Sequence, residues 1–288
     1  MALMIEAVQH PPHRKPRSAR AKLFGTGDLN RKMRCSVIVA HPADEVVGAG
    51  CLIAKLVDVS VLHVTDGAPM QDAKAAGFEA RADYARARRE ECLAALAIAN
   101  VAEDRVVDLE FPDRRASTFL AGLTKKIATF LQQSATDIIV THPYEGGHPD
   151  HDATAFATHA AMRLLKLNGF KPPALFEMGL HPSADFKAKV PDFLPGTERE
   201  ITTLLLDDRA KEMKQRMFAC FETQRESLDA SPIGPEKFRQ PVAYDFTSPP
   251  QEGKLHYERF DWAPTRQEWL SLACAALADL FPQRAAST

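Results

Sequence analysis

Two short clusters hold the residues best suited to chemistry: His41-Pro42-Ala43-Asp44-Glu45 and His148-Pro149-Asp150-His151, each placed after an apolar run. A spacing of three lets His41 and Asp44 converge, and it puts His148 and His151 on one face of a helical turn. Together the clusters offer two imidazoles and a carboxylate to one divalent metal. Such a set with an open position suits a catalytic ion, because structural zinc sites fill all four positions, usually with cysteine. Zinc (Zn2+) is the first expectation, and non-haem Fe2+ held by two histidines and a carboxylate is its chemical rival. An ion held this way lowers the pKa of bound water to about 7 and polarises a carbonyl oxygen, which is hydrolytic chemistry on an amide or ester.

Each cluster also has a plainer reading. Asp44 is well placed to cap a helix, with His41 a polar strand end. Gly146-Gly147 and Pro149 would serve a histidine-rich surface turn equally well. Gly-Gly-His-Pro-Asp-His is nonetheless far from random composition, and two clusters together favour the metal. Asp150 is placed to orient a ring nitrogen, as carboxylates behind metal-ligating histidines do. His142 lies near the site by sequence, and Tyr144 and Glu145 are expected at the pocket rim. His63, inside a strand, reads as a core residue, and His159, His181 and His256 carry no motif.

Elements able to position these clusters can be read from Arg34 onward. Apolar runs predict strands over 35–40, 59–65, 105–111, 137–141, 174–180 and 200–206. Between them, helical periods cover 45–57, 81–99, 117–133, 152–167 and 209–223, and 266–280 reads as a closing helix. Pro232, Pro235, Pro241, Pro249 and Pro250 punctuate a stretch expected to be loop. This βαβα order, with continuous Val/Ile runs, predicts the α/β class: a Rossmann-like, mostly parallel sheet with helices on both faces. Both clusters then fall at carboxyl ends of strands, where open α/β sheets place their ligands.

Bulk properties narrow the partners. The 288 residues, 45% apolar, suffice for one large domain, expected over 34–288 with C-terminal additions and no internal repeat. Residues 1–33 are basic and proline-rich around His10 to Arg17 and read as a disordered arm without assigned function, with Met33 an alternative start. A net charge of −2 gives no broad field for a polyanion, so nucleic acid is excluded as a partner. Five scattered cysteines without a CxxC pair, no long apolar span and no apolar signal core predict a cytoplasmic protein without a transmembrane segment.

Taken with their spacing, these residues resemble the PIG-L/LmbE-like metal-dependent N-deacetylases, which remove acetyl groups from N-acetylglucosamine-containing molecules and related amides. The resemblance runs over about residues 34 to 225. The family's Ala-His-Pro-Asp-Asp-Glu compares with Ala40 to Glu45, and its His-Pro-Asp-His with His148 to His151. Arg88-Arg89-Glu90-Glu91, Phe111-Pro112-Asp113 and Phe221-Glu222-Thr223-Gln224 are supporting matches. The resemblance implies that His41, Asp44 and His151 hold the metal. It implies too that His148 stabilises the oxyanion and protonates the leaving amine, with Asp150 tuning it, and that Arg88 and Asp113 contact sugar hydroxyls.

One departure stands out. Ala43 occupies the place of the family's aspartate that takes a proton from the metal-activated water, and a methyl group cannot do so. Glu45 is the nearest substitute, though it heads into the helix, and His148 is another. Three readings follow: a natural variant with a different base, an inactive member that binds metal and carbohydrate, or an engineered alanine. The expected partner is a small-molecule acetamido sugar or conjugate. Phe238, Tyr244, Phe246, Tyr257, Phe260 and Trp262 are candidates for an acceptor wall, against the commoner use of aromatic residues in a core. An Fe2+ oxygenase with the same ligands is a third function, disfavoured because its usual β-sandwich conflicts with the βαβα order.

Overall fold

A computed structural model describes residues 19–25, 33–70, 73–74, 76–180, 192–193, 200–229, 231 and 233–282. Ahead of the first strand lies a short helix, α1 (Ala19–Leu23), with Leu23 and Met33 both buried in the core. Phe24 packs against Phe176 and Phe238, its ring centroid 5.6 and 5.2 Å from theirs. The disordered arm expected over 1–33 is therefore corrected here, because these apolar residues gain more from burial than a solvated arm would. His10 to Arg17 lie outside the described residues.

From Arg34 the chain alternates through β1 (Arg34–Val39), α2 (Asp44–Ile53), β2 (Asp58–Pro69), α3 (Arg81–Ile98) and β3 (Val106–Asp113). It continues through α4 (Leu120–Gln133), β4 (Ile138–Thr141), α5 (Pro149–Leu167) and β5 (Ala174–Met178). β6 (Ile201–Leu204), α6 (Asp208–Phe218), α7 (Arg225–Asp229), β7 (Glu236–Arg239) and α8 (Arg266–Leu280) follow. The strands form one seven-stranded sheet in the order β3-β2-β1-β4-β5-β7-β6. β1 to β5 are mutually parallel, whereas β7 runs antiparallel to both β5 and β6. The architecture is thus the expected Rossmann-like, mostly parallel α/β sheet.

Strand alternation sorts the core into two layers. Val37, Val39 and Val61 face residues of α2, α3 and α6, including Val46, Leu96 and Met217. Ile38, Leu62 and Ile139 face α4, α5 and α8 through Leu123, Phe156 and Trp269. Because β2 and β3 lie to one side of β1 and β4 and β5 to the other, the order reverses between β1 and β4. A crevice opens at such a switch point, and the loops after β1 and β4 carry the two clusters into it.

Three elements differ from the sequence reading. α5 starts at Pro149, so His148 is its cap, and α6 stops at Phe218, leaving Glu222–Gln224 as a 3-10 turn. β7 lies in the stretch expected to be loop, between Pro235 and Pro241. Its Glu236 is buried and accepts the amide N–H groups of Cys51 (2.7 Å) and Leu52 (2.9 Å) in α2. Lys214 of α6 completes this grip, donating to Glu236 at 2.7 Å and to the Val47 carbonyl at 2.8 Å. Among the described residues no helix is long and apolar enough to cross a membrane. All five cysteines are free.

Candidate metal centre and active site

β1 ends at Val39, and the chain turns through Ala43, the N-cap of α2, which has φ 103. That left-handed backbone suits Asp and Asn better than alanine. The turn folds Asp44 back so that its Oδ2 accepts the His41 amide at 2.9 Å and stands 3.1 Å from His41 Nδ1. Across the crevice, His148 caps α5 by accepting the Asp150 amide on Nδ1 at 3.2 Å. One turn on, His151 brings Nε2 to 3.3 Å from the same Asp44 oxygen. His41, His148 and His151 offer ring nitrogens within 4.8 Å of one another. The three residues expected to ligate, His41, Asp44 and His151, thus meet.

Their surroundings suit a cation. His41 meets Asp44 through Nδ1, and its Nε2 lies 3.0 Å from Asp113 and 3.4 Å from Asp150. Burial opposes a charge on this ring, but Asp113 and Asp44 outweigh it and hold His41 well above the ordinary histidine range. Likewise burial raises the Asp44 carboxyl, and His151 and His41 more than reverse this, holding it well below its usual value. Carboxylates closing on one imidazole favour a positive charge there, carried by a proton or by a divalent metal. Imidazole nitrogens against a carboxylate oxygen are also a donor set that zinc and non-haem iron accept, so the residues present fit the expected ion.

His142 lies deeper than a ligand needs to be. Fully buried, it stacks on His151 at 4.1 Å and uses Nε2 to accept the Ala40 amide at 2.9 Å. That lone pair is already engaged, so His142 supports the His151 ring. Burial pushes it down to about 3, with His151 adding to the effect.

His148 is set up as a donor. Burial and the neighbouring His41 and His151 push it well below the ordinary histidine range, so the ring is neutral. With Nδ1 accepting an amide, the proton of a neutral ring sits on Nε2. Trp262 packs 5.4 Å from this ring.

Other expectations need correction. The Asp150 carboxylate, expected against His148, instead approaches His41 and accepts the amides of Arg114 (2.6 Å) and Ala116 (3.0 Å); only its backbone meets His148. Helix geometry explains this, since Asp150 and His148 lie two residues apart and do not share a face. Glu45, as its place at the start of the helix implies, is turned away from the crevice: fully buried, it accepts from the Ala43 amide (3.1 Å) and stands 3.2 Å from His63 Nε2. Tyr144 and Glu145 do not form a rim: Tyr144 stacks 5.2 Å from Trp269, and Glu145 pairs with the buried Arg239 at 2.9 Å.

The supporting motifs meet as well. Glu91 accepts the amide (2.9 Å) and hydroxyl (2.5 Å) of Thr223, joining α3 to the late turn. Arg88 is buried and donates to the Pro42 carbonyl at 2.5 Å. Gly67 makes room for both: its φ is +64, and an added Cβ would stand 2.9 Å from Pro42 Cδ and 3.1 Å from Arg88 Nη2. Gly67→Ala is expected to cost about 1–2 kcal/mol from backbone conformation alone, seen as a lower urea midpoint.

A cavity of about 530 Å³ covers this cluster, lined by His41, Ala43, Asp44, His148 and His151 together with Arg88 and Asp113. Its outer wall adds Arg114, Gln224, His256, Phe260 and Trp262. Of the candidate acceptor aromatics, Phe260 and Trp262 reach this wall, while Phe238, Phe246 and Tyr257 are core residues. His256 and Arg114 were not legible from the sequence. His256 is carried in by a segment whose amide bonds the Gly146 carbonyl at 3.0 Å, a long-range contact that leaves no periodic trace.

Comparison with known proteins bears on the fold that carries these residues. Residues 36–162 match the model of the family described as PIG-L: GlcNAc-PI de-N-acetylase. The fold resembles that of the A40926 pseudoaglycone deacetylase Dbv21, with 21% identity, a TM-score of 0.57, and coverage of 73% of this chain and 97% of that one. A zinc-inhibited form of teicoplanin deacetylase Orf2 is 18% identical, with a TM-score of 0.55 over 72% of this chain and 97% of that one. The conserved protein TT1542 from Thermus thermophilus is 17% identical, with a TM-score of 0.50 over 74% of this chain and 97% of that one. At such identities the likeness concerns the fold. Among curated protein sequences none matches the chain.

Proposed function

We propose that this protein is a metal-dependent N-deacetylase releasing acetate from an acetamido sugar or sugar conjugate, working slowly because residue 43 lacks a carboxylate. The observation that carries the reading is the meeting of His41, Asp44 and His151 beside a neutral, donor-poised His148 in one cavity. In this reading those three hold Zn2+, with Fe2+ the alternative. The ion, when bound, supplies Lewis-acid polarisation and a nucleophilic water near neutral pH. His148 donates a hydrogen bond from Nε2 to the substrate carbonyl oxygen as charge develops there, and the proton given up by the attacking water, with no carboxylate at residue 43 to carry it, would reach the departing amine through solvent. Arg88 and Asp113 face sugar hydroxyls from the cavity wall, and Asp150 steadies His41 from behind.

Several facts support the substrate class. The matched family is described by an acetamido-sugar lipid, and the Dbv21 and Orf2 neighbours are described as deacetylases of the A40926 pseudoaglycone and of teicoplanin. The near-neutral chain and its small cavity suit a small molecule over nucleic acid. Its free cysteines suit the reducing cytoplasm, where the chain works as one domain whose core reaches back to α1.

Ala43 favours a second reading, a silent member that holds metal and carbohydrate without turnover. Acetate release from N-acetylglucosamine conjugates, measured on zinc-loaded protein, separates the two. Release above the level of a His151→Ala variant is expected, together with its loss on chelation. Equal release from both would leave only the binding protein.

A further inference from the structure

A second cluster, on the far side of the Ala43 turn from the crevice, has no part in the reaction above. Glu45, His63 and Cys92 come from the start of α2, from β2 and from α3, and all three are buried. Glu45 Oε2 lies 3.2 Å from His63 Nε2, Cys92 Sγ lies 3.3 Å from Glu45 Oε1, and Sγ stands 3.6 Å from Nε2. Behind it, His63 Nδ1 is 2.9 Å from Asp108, which pairs in turn with Arg89. We propose that Glu45, His63 and Cys92 form a second metal site, selective for a thiophilic divalent cation such as zinc.

Three features argue for it. The first is spacing: ligand atoms about 2.0–2.3 Å from zinc at tetrahedral angles stand roughly 3.3–3.8 Å apart, close to the separations here. Glu45 turns one oxygen to each of the other two ligands, so its carboxylate is aimed between them. The second is the carboxylate behind the histidine, since metal-ligating imidazoles regularly give their other N–H to such a group, and Asp108 fills that place. The third is charge. Two carboxylates, Glu45 and Asp108, close on the two nitrogens of one imidazole, so the buried pocket is matched to a cation.

The site is distinct from the crevice in its ligands, because none of the residues proposed to hold the catalytic metal carries sulfur. Cobalt reads this difference directly, since only a thiolate ligand gives a sulfur-to-cobalt charge-transfer band in the near ultraviolet. The titration uses full-length protein in a Cys220→Ser/Cys274→Ser background, which removes the less buried thiols. A charge-transfer band growing in with the second equivalent of cobalt is expected. Cys92→Ala and His63→Gln should each abolish it, while the crevice site keeps its own equivalent. His151→Ala should leave the band in place, so loss of the deacetylase reading would not remove this one. Absence of the band in the background protein, or its survival in folded Cys92→Ala, would overturn the proposal. The band is read before any core residue is changed, so a variant that fails to fold does not block the test.

Discussion

Ala43→Asp is expected to raise acetate release by about 10²–10⁴-fold, the usual worth of a positioned general base. The side chain at 43 lines the cavity beside His41, Asp44 and His148, so a carboxylate there faces the reacting centre. No neighbour supplies the missing function. Glu45 is spent on the Ala43 amide and turned toward His63, and His148 keeps its proton on Nε2, a donor's arrangement. The backbone favours the change too, because φ 103 is a conformation that aspartate adopts more readily than alanine. Ala43→Asn is the matched control, sharing that backbone preference without the base. The ratio of kcat/KM between the Asp and Asn variants isolates proton transfer, and a ratio near one would show that residue 43 is not the base position.

The second large effect is on stability. Arg239→Met is expected to cost about 3–5 kcal/mol, the range for removing one member of a buried ion pair. Arg239 is fully enclosed, 2.7 Å from Glu177 on β5 and 2.9 Å from Glu145 in the loop before His148. Taking the guanidinium away leaves two buried carboxylates to be desolvated or protonated. Burial already raises the Glu177 carboxyl above its usual value despite Arg239, so it protonates readily once the arginine is gone. Urea unfolding measures the loss, and adding Glu177→Gln should restore part of it. A cost below about 1 kcal/mol would mean that the cluster is solvated rather than buried.

Arg239 also shows what sequence reading reaches and what it misses. β1, β2 and β4 were legible because their Val, Ile and Leu residues are buried on both faces. β7 was not, because three of its four residues, Glu236, Lys237 and Arg239, are charged, and the burial of Glu236 and Arg239 depends on partners far away in sequence. The candidate metal cluster was legible for the opposite reason: its residues sit in compact motifs, and the parallel sheet dictates that loops after β1 and β4 share a crevice. Contacts set by side-chain direction were beyond reach. Asp150 turning to His41, and Glu145 turning inward, follow from rotamer and loop geometry that spacing alone does not encode.

The grip of Glu236 and Lys214 on α2 bears on how the protein is born. A nascent chain that has left the ribosome through Leu167 already contains His41, Asp44, His148 and His151. It does not yet contain the carboxylate that holds the Cys51 and Leu52 amides. β6 emerges next, yet its sheet partner is β7, which is made later and lies between β5 and β6. Until β7 arrives the β5 edge stands open, a template for pairing with other chains. Emergence of β7 is thus the event that both closes the sheet and fixes the helix behind Asp44.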